Sequence, residues 1–114
     1  MVNLKKINIL KENKDFKRIV TKNKPFKYKG YLVYLEIKDS QPYKFGISVS
    51  KKLTNAVGRN KIKRQVREII SKNTYEKNFN CIIIIRRSYL ENDFEHNKQD
   101  LLFILKNLNI IKEN

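Results

Sequence analysis

Residues 80–86 read Asn-Cys-Ile-Ile-Ile-Ile-Arg, and this run constrains the fold more than any other stretch of the chain. A strand with one wet face alternates apolar and polar residues, because successive side chains point to opposite faces. Four isoleucines in a row after Cys81 leave neither face for water. The run therefore predicts a strand buried on both faces and central in its sheet. It is far too short for a membrane-spanning helix, which needs ~20 apolar residues.

The rest of the chain supplies what such a strand needs around it. In residues 30–38, Tyr31, Val33, Leu35 and Ile37 share one face and form its core side. Leu32, Tyr34, Glu36 and Lys38 share the other, a mixed face with one aromatic among polar groups. Residues 44–50 form a second strand with Phe45, Ile47 and Val49 inward, and residues 39–42 read as a hairpin turn between the two. A short helix over residues 13–22 is predicted by Phe16, Ile19 and Val20, with Asn13 as cap and Asp15 in the first turn. A second helix, capped by Thr54 or Asn55 and running to about Lys72, carries Ile62, Val66, Ile69 and Ile70 as a narrow apolar stripe. A last helix, capped by Asn92 or Asp93, buries Phe94, Leu101, Leu102, Ile104, Leu105 and Leu108. Residues 1–12 read as an extended N-terminal segment. The expectation is one α+β domain over residues 1–114, of two layers and in the order α-β-β-α-β-α.

Charge narrows the function. The chain has 26 Lys and Arg against 11 Asp and Glu, a formal net charge of +15. A compact chain with that excess repels itself unless it meets a polyanion, and nucleic acid is the first candidate. A membrane surface is the second, but neither a long apolar segment nor a signal-peptide pattern is present in the sequence. A single cysteine argues against an oxidising compartment, so a cytoplasmic location is expected.

The cations are concentrated. No acidic residue occurs between Ser40 and Arg67, and that stretch holds Lys51, Lys52, Arg59, Lys61, Lys63, Arg64 and Arg67. At ~100° per residue, Asn60, Lys61, Lys63, Arg64 and Arg67 cover the arc opposite the apolar stripe, with Arg59 flanking it. Residues 59–67 span about 12 Å of helix, a patch of cations that includes forked guanidiniums suited to phosphate. A merely solvated helix face is the alternative, but such faces mix signs, whereas here Arg59 and Lys63 repel across one turn. DNA and RNA are separated less sharply. No helix-turn-helix pair and no zinc-ligand set are legible with one Cys and one His. Tyr34 on its mixed face is either a platform for an unpaired base or an ordinary half-exposed strand tyrosine.

The words KFGISVSKKLTNAVGRNKIKRQVRE resemble the signature of the protein subunit of bacterial ribonuclease P, a strand, a turn and an Arg-Asn-Arg helix. Leu4 to Lys6, Asp15-Phe16, Tyr34 and the isoleucine strand ending in Arg86-Arg87 also fall where that family has them, so the resemblance covers nearly the whole chain. It implies a protein that joins a large catalytic RNA, the pair removing the 5′ leader of precursor tRNA by hydrolysis. The RNA and Mg²⁺ bound mainly by it would carry the chemistry, and the protein would have no catalytic residue and no metal ligand. The resemblance implies that Lys51, Arg59, Asn60, Lys61, Lys63, Arg64 and Arg67 meet the catalytic RNA. It implies a leader-binding cleft formed by Phe16, Tyr34, Ser48, Lys52, Arg59 and Asn60, between the first helix and the sheet. It also implies a βαβ crossover of the rare left hand. Membrane and DNA are not expected as partners. The sequence departs from the family at Lys61, where a point charge replaces a guanidinium fork, and at Val20, where an aromatic often lines the cleft. Residues 109–114 add no aromatic, which leaves Phe16 and Tyr34 as the stacking groups.

A ribosomal-type RNA-binding protein without a catalytic RNA partner shares the charge and the style of fold, and a nucleoid-type DNA binder shares the charge. Cys81 reads as core, His96 as surface, and Glu91, Asp93 and Glu95 as charge before a helix.

Overall fold

A computed structural model of the chain describes residues 9–10, 14–39, 42–76 and 78–112. The elements run α1 (Lys14–Lys22), β1 (Phe26–Tyr28), β2 (Tyr31–Ile37), β3 (Lys44–Ser48), α2 (Ala56–Ser71), β4 (Phe79–Ile85), a short 3₁₀ helix (Arg87–Glu91) and α3 (Phe94–Asn107). This is the expected mixed α+β domain, with one short strand more than the sequence pattern predicts.

Among the described residues the sheet has the order β1-β2-β4-β3. β4 pairs antiparallel with β2 and parallel with β3, so α2 makes a βαβ crossover. The isoleucine strand is central, as its composition predicts, and Cys81, Ile82 and Ile83 are fully buried. Its insertion overturns one expectation. Residues 39–42 do not close a hairpin, because β2 and β3 are not neighbours. The strand that most needs cover on both faces and both edges takes the place between them.

β1 is the missed element. It pairs with β2 through a two-residue turn in which Lys29 has a φ of 52°. The signal is the Phe26-Lys27-Tyr28 alternation followed by Lys-Gly. Gly30 is required there, since a Cβ would lie 2.9 Å from the Tyr89 backbone.

One sheet face packs on α2 and α3. Tyr31, Val33, Phe45, Ile47, Cys81 and Ile83 meet Ile62, Val66, Ile69, Ile70, Leu101, Ile104 and Leu105 in one core. Burying each such side chain contributes about 1.5–3 kcal/mol before the entropy of ordering is counted. Ile37, expected in this face, lies at the strand end and is 54% exposed. Asn55 caps α2 by accepting from Gly58 N–H at 2.9 Å, and Asp93 caps α3 by accepting from His96 N–H at 2.9 Å.

The other face carries α1 alone among the helices. Ile19 seals a second small core with Leu10, Tyr34 and Ile82. The Asn23 side chain ends α1 by donating to the Ile19 carbonyl at 2.8 Å. Of the expected N-terminal extended segment only Ile9 and Leu10 are described. Ile9 bridges Phe45 in parallel fashion, and Leu10 N–H donates to the Phe45 carbonyl at 2.8 Å. Residues 1–8 and Asn13, the expected cap, lie outside the described residues.

Candidate nucleic-acid interface

The turn after β3 is built by its own serine. The Ser50 hydroxyl accepts from Lys52 N–H at 3.1 Å, and its carbonyl accepts from Leu53 N–H at 3.1 Å. β3 itself ends at Ser48, two residues earlier than the alternation predicts. The turn leaves Lys51 and Lys52 exposed and delivers the chain into α2.

On α2 the four buried residues are Ile62, Val66, Ile69 and Ile70, the stripe read from the spacing. Asn60, Lys61, Arg64 and Arg67 are exposed on the opposite arc, and Lys63 is half-buried. Arg59 is half-buried as well. Its guanidinium donates to the Thr54 carbonyl at 2.8 Å, which ties it back over the helix start. None of Lys51, Lys52, Arg59, Lys61, Lys63, Arg64 and Arg67 forms an ion pair among the described residues. Glu68, the one acid on the helix, pairs instead with Lys72 at 3.6 Å. The face is thus an uncompensated array of cations held on a rigid, capped helix.

The strand register resolves the second candidate site. On the α1 side, Tyr34, Ile82 and Gly46 form one row across three strands. The ring of Phe16 lies directly on Gly46, where an added Cβ would sit 2.4 Å from its Cε1. Ile19 closes over Tyr34 and Ile82, leaving Tyr34 only 8% exposed. Tyr34 is therefore a wall of the small core, neither an open platform nor a half-exposed tyrosine. α1 covers it because Ile19, one helical turn from Phe16, needs the same surface.

The next row is the open one. Lys27, Leu32, Ile84 and Ser48 are cross-strand neighbours. Leu32, Ile84 and Ser48 are half-buried and Lys27 is exposed. Val20 of α1 borders this row within the same cluster as Leu32 and Ile84. Lys27, Leu32 and Ile84 were missed from sequence. Ile84 hides inside a run that reads as uniformly buried, and Lys27 belongs to the strand that was not expected. This row and Lys52 lie at the same end of the sheet, since Ser48 is the last residue of β3 before the lysine turn.

The row on the far side of Tyr34, Ile82 and Gly46, formed by Glu36, Asn80 and Lys44, is ionic. Arg18 of α1 makes a two-pronged pair with Glu36, one contact being Nη2 to Oε1 at 3.1 Å. Asn80 Nδ2 donates to the same carboxylate at 3.0 Å, and Lys38 Nζ lies 3.7 Å away. The Arg18 hydrogen bonds hold the Glu36 carboxyl below the usual carboxylate range. This pair ties α1 to β2.

Other candidates settle as structure. Cys81 is buried, and burial pushes its thiol up. His96 is exposed beside Asp93, whose hydrogen bond raises it above the usual imidazole value. Among the described residues, no three His, Cys, Asp or Glu side chains gather where they could hold a metal ion. No helix among them is long and apolar enough to cross a membrane.

Comparison with known proteins places the sequence and the fold in a family. The family model described as Ribonuclease P matches residues 4–109. The ribonuclease P protein component of Mesoplasma florum is 37% identical over 101 residues, covering 86% of this chain and 92% of that one. The corresponding protein of Streptococcus agalactiae is 35% identical over 104 residues, covering 90% and 95%. Among solved structures, the Staphylococcus aureus RNase P protein superposes with a TM-score of 0.82 at 33% identity, covering 94% of this chain and all of that one. The Thermotoga maritima RNase P protein gives a TM-score of 0.76 at 30% identity, covering 86% and 94%.

Proposed function

This chain belongs to the ribonuclease P protein family, and we propose on that footing that it binds the catalytic RNA through α2 and the 5′ leader of precursor tRNA through the α1 side of its sheet. Family membership makes it the protein component of a ribonuclease that processes tRNA, with an RNA partner in the complex. The observation that carries the finer reading is the cation array of Lys51, Arg59, Lys61, Lys63, Arg64 and Arg67, which has no acidic partner among the described residues. Such an array neutralises phosphates and releases their condensed counterions, a strongly salt-dependent gain. Asn60 adds an exposed amide on the same face.

The leader would then run along Ser48, Ile84 and Leu32 toward Lys27, entering past Lys52. Apolar side chains and a hydroxyl suit unpaired bases without reading their sequence. Phe16 and Tyr34 act here mainly by seating α1, and Arg59 and Asn60 stand at the mouth. In this proposal the RNA carries the chemistry, with Mg²⁺ held mainly by its phosphates, and the complex works in the cytoplasm. The protein contributes binding and charge neutralisation. No observation favours a ribosomal-type RNA-binding protein or a DNA binder over this family role.

The test is cleavage of precursor tRNA by the catalytic RNA of the same organism at low Mg²⁺, with and without the protein. Stimulated cleavage, and tighter binding of precursor than of mature tRNA, are expected. Failure of the protein to change either quantity sinks the proposal.

A further inference from the structure

Behind the cation array lies a cleft of ≈ 390 Å³ between the start of α2 and the start of α3. That is within the ~300–1,000 Å³ range of small-molecule sites. Lys61 and Gln65 line it from α2, and Leu90, Phe94 and Asn97 from the opposite side. Asn97 is 2% exposed, and its Nδ2 donates to the Tyr89 carbonyl at 2.9 Å. That bond fixes the amide, and Asn97 Oδ1 is left buried with no hydrogen-bond partner. Leaving a buried acceptor without a partner is unfavourable, so it calls for a donor. Across the cleft, Gln65 Oε1 accepts from the Tyr89 hydroxyl at 2.8 Å. This fixes the second amide and leaves its Nε2 without a partner among the described residues. Asp93 also lines the cleft, where its Oδ1 accepts from the His96 N–H at 2.9 Å and lies 2.7 Å from the His96 ring nitrogen.

We propose that this cleft takes one unpaired nucleobase of the RNA bound by α2. The proposal rests on the RNA reading above. A base edge carries a donor beside an acceptor; the donor would satisfy the buried Asn97 Oδ1 and the acceptor could take the Gln65 amide, and side-chain amides read bases in this way. Phe94 and the 44%-exposed Leu90 offer apolar surface to the ring. Lys61 belongs to both the cleft and the cation array, so it reaches the phosphate of the same nucleotide. A peptide backbone also presents a donor and an acceptor. A chain of net charge +15, with the cleft opening beside its densest cations, favours the polyanion.

The test uses the full chain and two neutral variants, Gln65→Leu and Leu90→Ser, each checked for an unchanged melting transition. Leu90 is exposed, so its variant folds even where loss of the Gln65–Tyr89 bond perturbs the other. Affinity for the catalytic RNA is expected to fall about five- to hundredfold in the variants, with an unchanged salt slope because no phosphate contact is lost. In parallel, nucleoside monophosphates at millimolar concentration should move the side-chain amide signals of Asn97 and Gln65, while ribose 5-phosphate should not. Wild-type affinity in both variants, or the same shifts with ribose 5-phosphate, overturns the proposal. Amide signals that no nucleotide moves overturn it too, and mean the cleft holds water only. An Arg64→Ala control separates the two failures. If it weakens RNA binding while the cleft variants do not, the cleft inference fails alone, and if it too has no effect, the RNA reading fails with it.

Discussion

Gly46→Ala tests how α1 is seated. A methyl group at position 46 would lie 2.4 Å from Cε1 and 2.6 Å from Cζ of Phe16, and 3.1 Å from the Leu10 carbonyl oxygen. The strand cannot retreat, because β3 is paired along its length with the buried β4. The Phe16 ring must therefore swing aside, and overpacking of this kind costs about 1–3 kcal/mol. For 114 residues, an unfolding entropy of ~2.1 cal/mol/K per residue makes each kcal/mol worth about 4 °C, so the melting point should fall by roughly 4–12 °C. Removing the ring removes the two closest contacts and leaves only the 3.1 Å approach to the Leu10 carbonyl oxygen. In a Phe16→Ala background the same alanine should therefore cost about 1–3 kcal/mol less than it does beside the ring. Thermal and urea unfolding of the four proteins gives the coupling energy directly. An equal loss in both backgrounds, or none in either, would refute the contact and with it the account of how the cleft is framed.

Four further outcomes are expected. Arg64→Ala and Arg67→Ala should each weaken binding to the catalytic RNA and reduce its log-log salt slope by roughly 0.7–0.9, and unchanged slopes in filter binding would remove α2 from the interface. Ile84→Ala should weaken precursor tRNA by about 1–2 kcal/mol relative to mature tRNA in the assembled complex, whereas equal losses for both would place the leader elsewhere. The depressed Glu36 carboxyl contributes stability that is complete above its ordinary value of 4.5 and is lost as the pH falls through its lower folded value. Denaturation midpoints of Glu36→Gln should therefore change less than wild type over that acid window, and parallel curves would show that the Arg18 pair does not anchor α1. Cys81 should react with an alkylating reagent only as fast as the protein unfolds, and rapid labelling under native conditions would contradict its buried position.

Much of the molecule was legible in the residues themselves. The stripe Ile62, Val66, Ile69 and Ile70 needed only helical spacing to be found, and so did the cation arc opposite it. The caps were legible to within one residue, as Thr54 or Asn55 and as Asn92 or Asp93, from short acceptor side chains before helical runs, and the structure selects Asn55 and Asp93. The central place of β4 followed from four isoleucines with no polar alternation. These are local properties, carried by residues within one or two turns of each other.

Which side of each element turns away from water, and where positive charge accumulates, follows from residue order alone. Which elements become neighbours depends on packing between residues far apart in the chain. Residues 39–42 look like a hairpin in isolation, but β4 enters between β2 and β3, since pairing with both covers its two edges. Tyr34 sits on a mixed face that looks open, but Ile19 closes over it because Phe16 is seated on Gly46 at the same row. Ile84 lies in a run that looks wholly buried, yet it stays half-open because α1 covers the Tyr34–Ile82–Gly46 row and leaves the next one less covered. The cleft between α2 and α3 joins Gln65 and Asn97, thirty-two positions apart, through Tyr89. Periodicity records the burial of one element against an average surrounding, whereas a groove is the surface left over once particular elements of particular length have packed.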